Sequence, residues 1–294
     1  MRRRDFVLSA LALPFAGCDV LPESPLAEVA QPRFVPWPNP ARLALVLSSG
    51  GLRGFSHVGV LKALDEIGVK PDLVVGASVG ALLGCVLCAG APVREVEALA
   101  LSFDLRGLAR LSMTQGYKLS GRELAAFVNA EIVRRVGGTA LEKLPLRYAA
   151  VAADAQSGEA TAFNAGNVGR AVQASCAIPG KFDPVQIRGR LYADGDLVSP
   201  LPVRLARSMG ATRVIAVDCS ARPENAPAGA ERYRTGDLRK KALVEADAKH
   251  ADLVLHPDIG YWVNPSREFR ERTARVAYEY TMERRRQIVA AAAA

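Results

Sequence analysis

A serine with glycines on both sides stands in the segment Gly76-Ala77-Ser78-Val79-Gly80, directly after the short apolar run 72–75. The pattern G-x-S-x-G between a strand and a helix is typical of a nucleophile elbow, a sharp turn that lifts the serine hydroxyl clear of the sheet. The N-terminus of the following helix offers free amides and partial positive charge to a developing oxyanion. Ser78 is therefore the candidate nucleophile of an acyl transfer, and a serine that only caps the helix is the alternative.

A second glycine-rich turn, Ser49-Gly50-Gly51-Leu52-Arg53-Gly54, follows the apolar run 42–47. Glycines allow successive backbone amides to point at one anion. Such a loop could hold a phosphate, but it does not fit G-x-G-x-x-G and no G-K-[ST] follows it. An oxyanion loop beside the serine elbow accounts for both turns at once.

A serine nucleophile needs a base, and several side chains qualify. The candidates are three acidic residues near predicted strand ends and the three histidines: Asp154, Asp194, Asp218, His57, His250 and His256. Ser78 and Asp194 followed by His250 or His256 would match the chain order of α/β-hydrolases. That order does not choose between a carboxylate and a histidine as the base.

The segments that must position these residues alternate between apolar runs and amphipathic stretches. We predict strands at 42–47, 72–75, 146–153, 159–163, 191–193, 213–217 and 252–255. We predict helices at 54–67, 78–89, 93–103, 120–136 with Ser120 as N-cap, 168–175, 202–209 and 267–289. Residues 221–234 are predicted to form a surface loop. The alternation favours one α/β domain with a mainly parallel sheet and helices on its faces.

The first 41 residues indicate that the protein is exported, and we expect them to lie outside the folded domain. Three arginines at 2–4, the apolar run 6–15 and the small residues before Cys18 are typical of a signal peptide over 1–17. Ala16-Gly17-Cys18 resembles a bacterial lipobox, so Cys18 would be lipidated; a plain secretory signal is the alternative. Residues 18–41 are rich in proline and predict an extended tether before a catalytic domain at 42–294. We expect a cell-envelope protein, exported by the Sec or twin-arginine route and anchored to a membrane facing the periplasm.

Composition excludes several classes of protein. Of 294 residues, 50% are hydrophobic and 23% are charged, which excludes a disordered or collagen-like chain. The net charge of +8 permits attraction to anionic surfaces, but no nucleic-acid motif is present. Cys85 and Cys88 form C-x-x-C inside a predicted helix and are expected to be buried, and Cys176 and Cys219 lack histidines at zinc spacing. We predict no metal site and no cofactor.

Four segments taken together resemble the bacterial patatin-like phospholipases over about residues 42–220. They are Gly50-Gly51-Leu52-Arg53-Gly54, Gly76-Ala77-Ser78-Val79-Gly80, Ala174-Ser175-Cys176-Ala177-Ile178-Pro179-Gly180, and Asp194-Gly195 followed by Leu197-Val198-Ser199-Pro200-Leu201-Pro202. The resemblance implies a patatin-like three-layer α/β/α fold with a mainly parallel central sheet. It also implies a lipid acyl hydrolase that needs no catalytic histidine.

The resemblance assigns a role to each matching position. Ser78 would be the nucleophile and Asp194 the base. The amides of the loop would form the oxyanion hole, with the Arg53 side chain bracing it; the candidate residues there are Gly50, Gly51, Arg53 and Gly54. The substrate would be a phospholipid, a lysophospholipid or another long-chain ester, taken from a membrane surface.

Two residues depart from the family pattern. Ser49 stands where the loop usually begins with glycine, and Asp196 stands where a small residue usually follows Asp194-Gly195. A second carboxylate two residues from the base could raise the pKa of Asp194 and either tune or impair it. Three hypotheses remain: a Ser-Asp hydrolase, a Ser-His-Asp esterase, and a non-catalytic relative that binds lipid.

Overall fold

The computed structural model of the chain describes residues 30–102, 113–114, 118–119 and 121–293. The predicted signal peptide, Cys18 and the first part of the tether lie outside the described residues, as does Ser120. Within the described ranges, no helix combines the length and the apolar character needed to cross a membrane.

Ten strands and nine helices make up the described part of the chain. The strands are β1 (Ala41–Leu47), β2 (Leu73–Ala77), β3 (Met113–Thr114), β4 (Lys118–Leu119), β5 (Arg147–Asp154), β6 (Ala160–Phe163), β7 (Val185–Ile187), β8 (Arg190–Asp194), β9 (Ala211–Val217) and β10 (Leu253–Leu255). The helices are α1 (Phe55–Ile67), α2 (Val79–Cys88), α3 (Val93–Ser102), α4 (Arg122–Val136), α5 (Val168–Ser175), α6 (Val203–Ser208), α7 (Arg234–Ala248), α8 (Arg267–Glu283) and α9 (Arg285–Ala293).

The main sheet has the order β10-β9-β1-β2-β5-β8-β7, and β6 also pairs with β5. Strands β10, β9, β1, β2 and β5 are parallel, whereas β6 and β8 run antiparallel to β5. The short strands β3 and β4 form a separate antiparallel pair. The predicted fold class, a mainly parallel sheet with helices on both faces, is confirmed.

Burial on both faces explains why the central strands are almost wholly apolar. In β1, Leu43, Leu45 and Leu47 point into one hydrophobic core, while Ala44 and Val46 point into the other. Alternate residues of a strand face opposite sides, so one strand supplies both cores. The carboxyl ends of the parallel strands therefore meet at one edge, where polar residues follow each strand.

Four predictions about the elements were wrong or incomplete. The predicted closing helix 267–289 is two helices, because it ends at Arg284 with φ −96° and ψ 11° before α9 begins. The N-cap of α4 is Gly121, next to the predicted Ser120. Helix α7 was not predicted, since only Val244 and Asp247 of its residues are buried and no apolar stripe marks it. The predicted loop 221–234 contains two short 3-10 turns, Pro223–Asn225 and Glu231–Tyr233.

Helix α1, which follows the glycine loop, packs against α8 at a glycine. A Cβ on Gly59 would lie 1.9 Å from the carbonyl oxygen of Ala274 and 2.7 Å from the amide nitrogen of Tyr278. No side chain fits at that distance, so the two helix backbones approach as closely as they do only because residue 59 is glycine.

We expect Gly59→Ala to lower the free energy of unfolding by about 1–3 kcal/mol, because the added methyl group meets backbone that must shift. Gly236→Ala is the matched control, since Gly236 lies inside α7 with no atom near the position of a Cβ. This control should raise stability by about 0.5–1 kcal/mol through the better helix propensity of alanine. Urea unfolding measures both, and equal effects of the two substitutions would contradict the close packing.

Candidate active site

Ser78 occupies a strained turn between β2 and α2. Its backbone has φ 53° and ψ −121°, an unusual conformation for a residue with a side chain. Holding such a conformation costs on the order of 1–3 kcal/mol and is common at functional sites. A Cβ on Gly76 would lie 2.4 Å from the carbonyl oxygen of Gly80, and one on Gly80 would lie 2.2 Å from that of Leu47. Both glycines are therefore required for the turn to pack beneath Ser78.

The pairing of β5 with two strands brings Ser78 and Asp194 together. Val151 of β5 pairs with Ala77 at the end of β2, and the next residue, Ala152, pairs with Asp194 at the end of β8. The two strand ends therefore meet, and the Ser78 Oγ donates a hydrogen bond of 2.7 Å to the Asp194 Oδ2. Their meeting also requires Gly195, because a Cβ there would lie 2.4 Å from the carbonyl oxygen of Val151.

The Asp194 carboxylate is buried, with 2% of the residue exposed. Burial disfavours the charged form and raises the pKa of Asp194 to about 7. Hydrogen bonds from the Asp196 amide, 2.8 Å from Oδ1, and from Ser78 oppose this rise. The negative charge of Asp196 adds to it, and the positive charge of Lys240 opposes it. Asp194 is thus a carboxylate whose affinity for a proton suits a general base near neutral pH.

The two residues that depart from the family pattern contact each other and Lys240 of α7. The Lys240 Nζ donates to Asp196 Oδ1 at 2.6 Å, to Ser49 Oγ at 3.0 Å and to the Ser49 carbonyl oxygen at 3.2 Å. The Ser49 hydroxyl also donates to the Asp196 carboxylate. Burial would raise the pKa of Asp196, but Lys240, the Ser49 hydroxyl and Arg239 together outweigh this and lower the pKa below its usual range. These contacts join the start of the glycine loop to the turn that follows Asp194 at the end of β8.

The glycine loop presents backbone amides to the same site. Gly50 is the N-cap of a 3-10 turn at Gly51–Gly54, and Gly51 has a positive φ of 54°. The amides of Gly51 and Leu52 open this turn and have no acceptor within it. Both residues line the same cavity as Ser78. The amides of these two residues are therefore candidate oxyanion donors.

Three other residues of the loop hold it in place. A Cβ on Gly50 would lie 2.4 Å from Cys219 Sγ, and one on Gly54 would lie 2.4 Å from Val79 Cγ2, so a side chain at either position would force Cys219 or Val79 to move. The Arg53 guanidinium points away from the site and donates to the carbonyl oxygens of Gly260, at 2.9 Å, and Tyr261. Arg53 thus fastens the loop to the segment that follows β10.

Ser78 lines an apolar cavity of about 460 Å³. Its wall is formed by the glycine loop, α1, α2, α3, α4 and the segment after α5; the apolar side chains are Leu52, Phe55, Val79, Leu82, Leu83, Leu99, Ala100, Leu124, Phe127, Ile178 and Phe182. Glu123, Lys181 and Cys176 also line it. A cavity of this size and character suits an acyl chain whose carbonyl carbon lies against Ser78.

The histidines lie elsewhere. His57 is fully buried, and its Nε2 lies 2.9 Å from the Ser48 carbonyl oxygen. His250 is exposed and precedes β10, which places it at the amino ends of the parallel strands, opposite Ser78. His256 follows β10; its Nδ1 lies 3.2 Å from the Asp218 carboxylate, and its Nε2 lies 3.1 Å from the Ser220 carbonyl oxygen.

The other acidic candidates have partners of their own. Asp154 accepts a hydrogen bond from Arg190 and from the amides of Gln156 and Ser157, at 2.9 and 3.1 Å. The bond from Arg190 is the main reason that the pKa of Asp154 falls to about 2. Asp218 accepts from the amide and hydroxyl of Ser220.

Ser175 positions the elbow, a role that our sequence analysis does not assign, although Ser175 lies in one of the four segments that resemble the family. The fully buried Ser175 Oγ donates to the Val151 carbonyl oxygen at 2.5 Å and accepts from the Ser78 amide at 2.9 Å. It therefore links the elbow to β5. Cys85 and Cys88 are buried in α2, as expected, and burial raises the pKa of both thiols.

Comparison with known proteins identifies the family of the chain. The family model described as Patatin-like phospholipase matches residues 45–207. An uncharacterized NTE family protein of Mycobacterium tuberculosis is 38% identical over 176 residues, 60% of this chain and 48% of that protein. Lysophospholipase NTE1 of Coccidioides immitis is 29% identical over 189 residues, 64% of this chain and 12% of that protein. The chain thus spans less than half the length of these relatives.

A solved structure shares the architecture. VipD from Legionella pneumophila matches with a TM-score of 0.61 and 14% sequence identity, over 87% of this chain and 69% of that one. This likeness concerns the fold. The family model covers more than half of the residues and includes the glycine loop, the serine elbow and Asp194, so the chain belongs to the patatin-like phospholipase family.

Proposed function

We propose that the protein is a serine lipid acyl hydrolase that cleaves carboxylic ester bonds through an acyl-Ser78 intermediate, with Asp194 as base. The observation that carries this proposal is the 2.7 Å hydrogen bond to a buried carboxylate from Ser78, a residue that lines an apolar cavity. A nucleophile bonded to a base of suitable pKa is the arrangement that covalent catalysis requires.

In the first half of the reaction, the Ser78 Oγ attacks the ester carbonyl carbon as Asp194 takes its proton. The carbonyl oxygen becomes an oxyanion and accepts hydrogen bonds from the Gly51 and Leu52 amides. The tetrahedral intermediate then collapses, the carbon–oxygen bond to the alcohol breaks, and Asp194 returns the proton to the departing oxygen. The acyl group remains bonded to Ser78.

In the second half, water replaces the alcohol. Asp194 removes a proton from the water, whose oxygen attacks the acyl carbon, and the same amides stabilise the second oxyanion. Collapse breaks the bond to Ser78, which regains its proton, and the carboxylic acid leaves. The apolar cavity holds the acyl chain throughout, and burial of Asp194 in the protein preserves its strength as a base.

We propose phospholipids, lysophospholipids or other long-chain esters as substrates. The apolar cavity wall supports a long acyl chain, and a relative named lysophospholipase supports a lipid with a polar headgroup. The geometry gives less support to a Ser-His-Asp esterase, because Ser78 and a carboxylate oxygen of Asp194 already bond directly. It also gives less support to a non-catalytic relative, because Asp196 bonds Lys240 and leaves Asp194 paired with Ser78.

Replacing either member of the dyad should abolish ester hydrolysis while the fold remains. We expect Ser78→Ala and Asp194→Asn each to lower kcat by at least 10²–10⁴-fold, the usual contribution of a nucleophile or general base, measured with a chromogenic medium-chain ester. The double variant His250→Ala/His256→Ala is the matched control and should stay within about twofold of wild type. A folded histidine variant as inactive as Ser78→Ala would replace the dyad with a triad.

The pH dependence should report the pKa of Asp194. A base must be deprotonated to act, so kcat/KM should rise with pH through an apparent pKa near 7. Lys240→Met removes a positive charge that lowers this pKa and should shift the profile to higher pH. Asp196→Asn removes a negative charge that raises it and should shift the profile to lower pH. A wild-type profile that rises near pH 4 and is flat above it would contradict the assignment.

We further propose that the protein is exported and anchored to the cell envelope through Cys18. The support is the N-terminal sequence alone, in which a short apolar run precedes Ala16-Gly17-Cys18. In cells fed a labelled fatty acid, wild type should carry the label and Cys18→Ser should not, measured by immunoprecipitation. Equal labelling of the two, or no label on wild type, would contradict lipidation at Cys18.

A further inference from the structure

An exposed aromatic ridge lies beside the candidate active site. We call Tyr233, Tyr261, Trp262 and Val263 the Trp262 patch. Trp262 is 51% exposed, Tyr233 43% and Val263 39%. The Trp262 ring packs edge-on against Tyr261, with centroids 5.2 Å apart, and against Tyr233 at 6.1 Å. The exposed rings therefore form one continuous surface rather than scattered apolar side chains.

The glycine loop connects this patch to the cavity. Gly51 and Leu52 line the cavity, and Arg53, the next residue, donates to the carbonyl oxygens of Gly260 and Tyr261. The Arg53 guanidinium also lies 5.9 Å from the centre of the Tyr261 ring. The patch is thus fastened to the loop that forms part of the cavity wall.

Positive charge lies on the Tyr233 side of the patch. Arg232 and Arg234 are exposed on either side of Tyr233, and the Arg232 guanidinium lies 4.7 Å from the centre of its ring. Residues 231–241 hold five basic and two acidic side chains, but Lys240 bonds Asp196 and Lys241 pairs with Glu224 and Glu245. One of these acids, Asp237, accepts a 2.6 Å hydrogen bond from the Tyr261 hydroxyl and helps to hold the ridge.

Exposed aromatic rings flanked by arginines are suited to binding the surface of an anionic bilayer. Tryptophan and tyrosine favour the boundary between headgroups and acyl chains because each ring has an apolar body and a polar tip. Arginines near such a boundary are attracted to anionic headgroups by about 1 kcal/mol each. Neither feature has a use in hydrolysis of a soluble ester, since the patch lies outside the cavity that holds Ser78.

We propose that the Trp262 patch seats the protein on an anionic phospholipid bilayer and brings the cavity to the lipid it hydrolyses. The proposal rests on the proposed function for its substrate, but the seating itself does not require turnover. The occupant is a lipid surface, recognised by aromatic insertion and by the flanking arginines.

Direct contact can be measured with the tryptophan itself. The chain has two tryptophans, Trp37 and Trp262, so Trp37→Phe leaves Trp262 as the reporter. In the chain from residue 18 onward carrying Cys18→Ser, so that neither the predicted signal peptide nor a lipid anchor contributes, vesicles of phosphatidylglycerol and phosphatidylcholine should shift Trp262 fluorescence to shorter wavelength. Vesicles of phosphatidylcholine alone should shift it less. An unchanged spectrum at saturating anionic vesicles would overturn the proposal.

Co-sedimentation with the same vesicles tests the residues. In the Cys18→Ser background, Trp262→Ser/Tyr233→Ser should weaken binding by about tenfold or more, which corresponds to at least 1.4 kcal/mol. Arg232→Gln/Arg234→Gln should weaken binding to anionic vesicles only. Phe34→Ser is the control, because Phe34 is 43% exposed in the segment that leads into the amino end of β1, and it should bind as the parent does. Equal binding by the aromatic variant and the parent would overturn the proposal.

Two substrates separate this proposal from the proposed function. The aromatic variant should hydrolyse a soluble short-chain ester within about twofold of its parent but lose most hydrolysis of vesicle phospholipid. Equal loss on both substrates would show a structural effect and overturn the seating role. If the parent hydrolyses neither substrate, the proposed function fails, and the binding measurements still decide the seating role.

Discussion

The site depends on keeping one carboxylate away from water. Asp194 is a useful base for Ser78 only while burial keeps its pKa near 7, because a solvated aspartate binds a proton too weakly to take one from a serine. A buried charge is costly, and a protein tolerates it only where hydrogen bonds compensate. Here the Asp196 amide and the Ser78 hydroxyl provide them, one to each carboxylate oxygen.

The backbone around Asp194 holds this carboxylate next to Ser78. Consecutive residues of β5 pair with the ends of β2 and β8, so a shift of either strand by one residue would part Ser78 from Asp194. Gly195 permits the close approach, and Ser175 ties the elbow to the same strand. Lys240 adds a constraint from outside the sheet, since it joins the loops on both sides of the site through Ser49 and Asp196. The two residues that depart from the family pattern, Ser49 and Asp196, thus both accept hydrogen bonds from the ammonium group of Lys240 in α7.

The sequence predicted those parts of the structure that depend on the pattern of neighbouring residues. The apolar runs predicted the central strands, and the glycine spacing around Ser78 predicted the elbow, because both follow from short-range geometry. The choice of Asp194 over Asp218 came from resemblance rather than physics, since nothing in the spacing shows which strand end meets Ser78. The role of Lys240 could not be predicted from the sequence, for a different reason. Its helix buries almost nothing, so no apolar period marks it, and its contacts with Ser49 and Asp196 join residues far apart in the chain.

The most direct measurement is the titration of the Asp194 carboxyl itself, without substrate. Infrared difference spectra between acid and alkaline pH should show a protonated-carboxyl band in wild type that disappears with a midpoint near pH 7 and is absent in Asp194→Asn. This result would show that the buried residue is poised to exchange a proton with Ser78 under neutral conditions. A spectrum whose carboxyl bands all titrate near pH 4, with Asp194→Asn indistinguishable from wild type, would contradict the account.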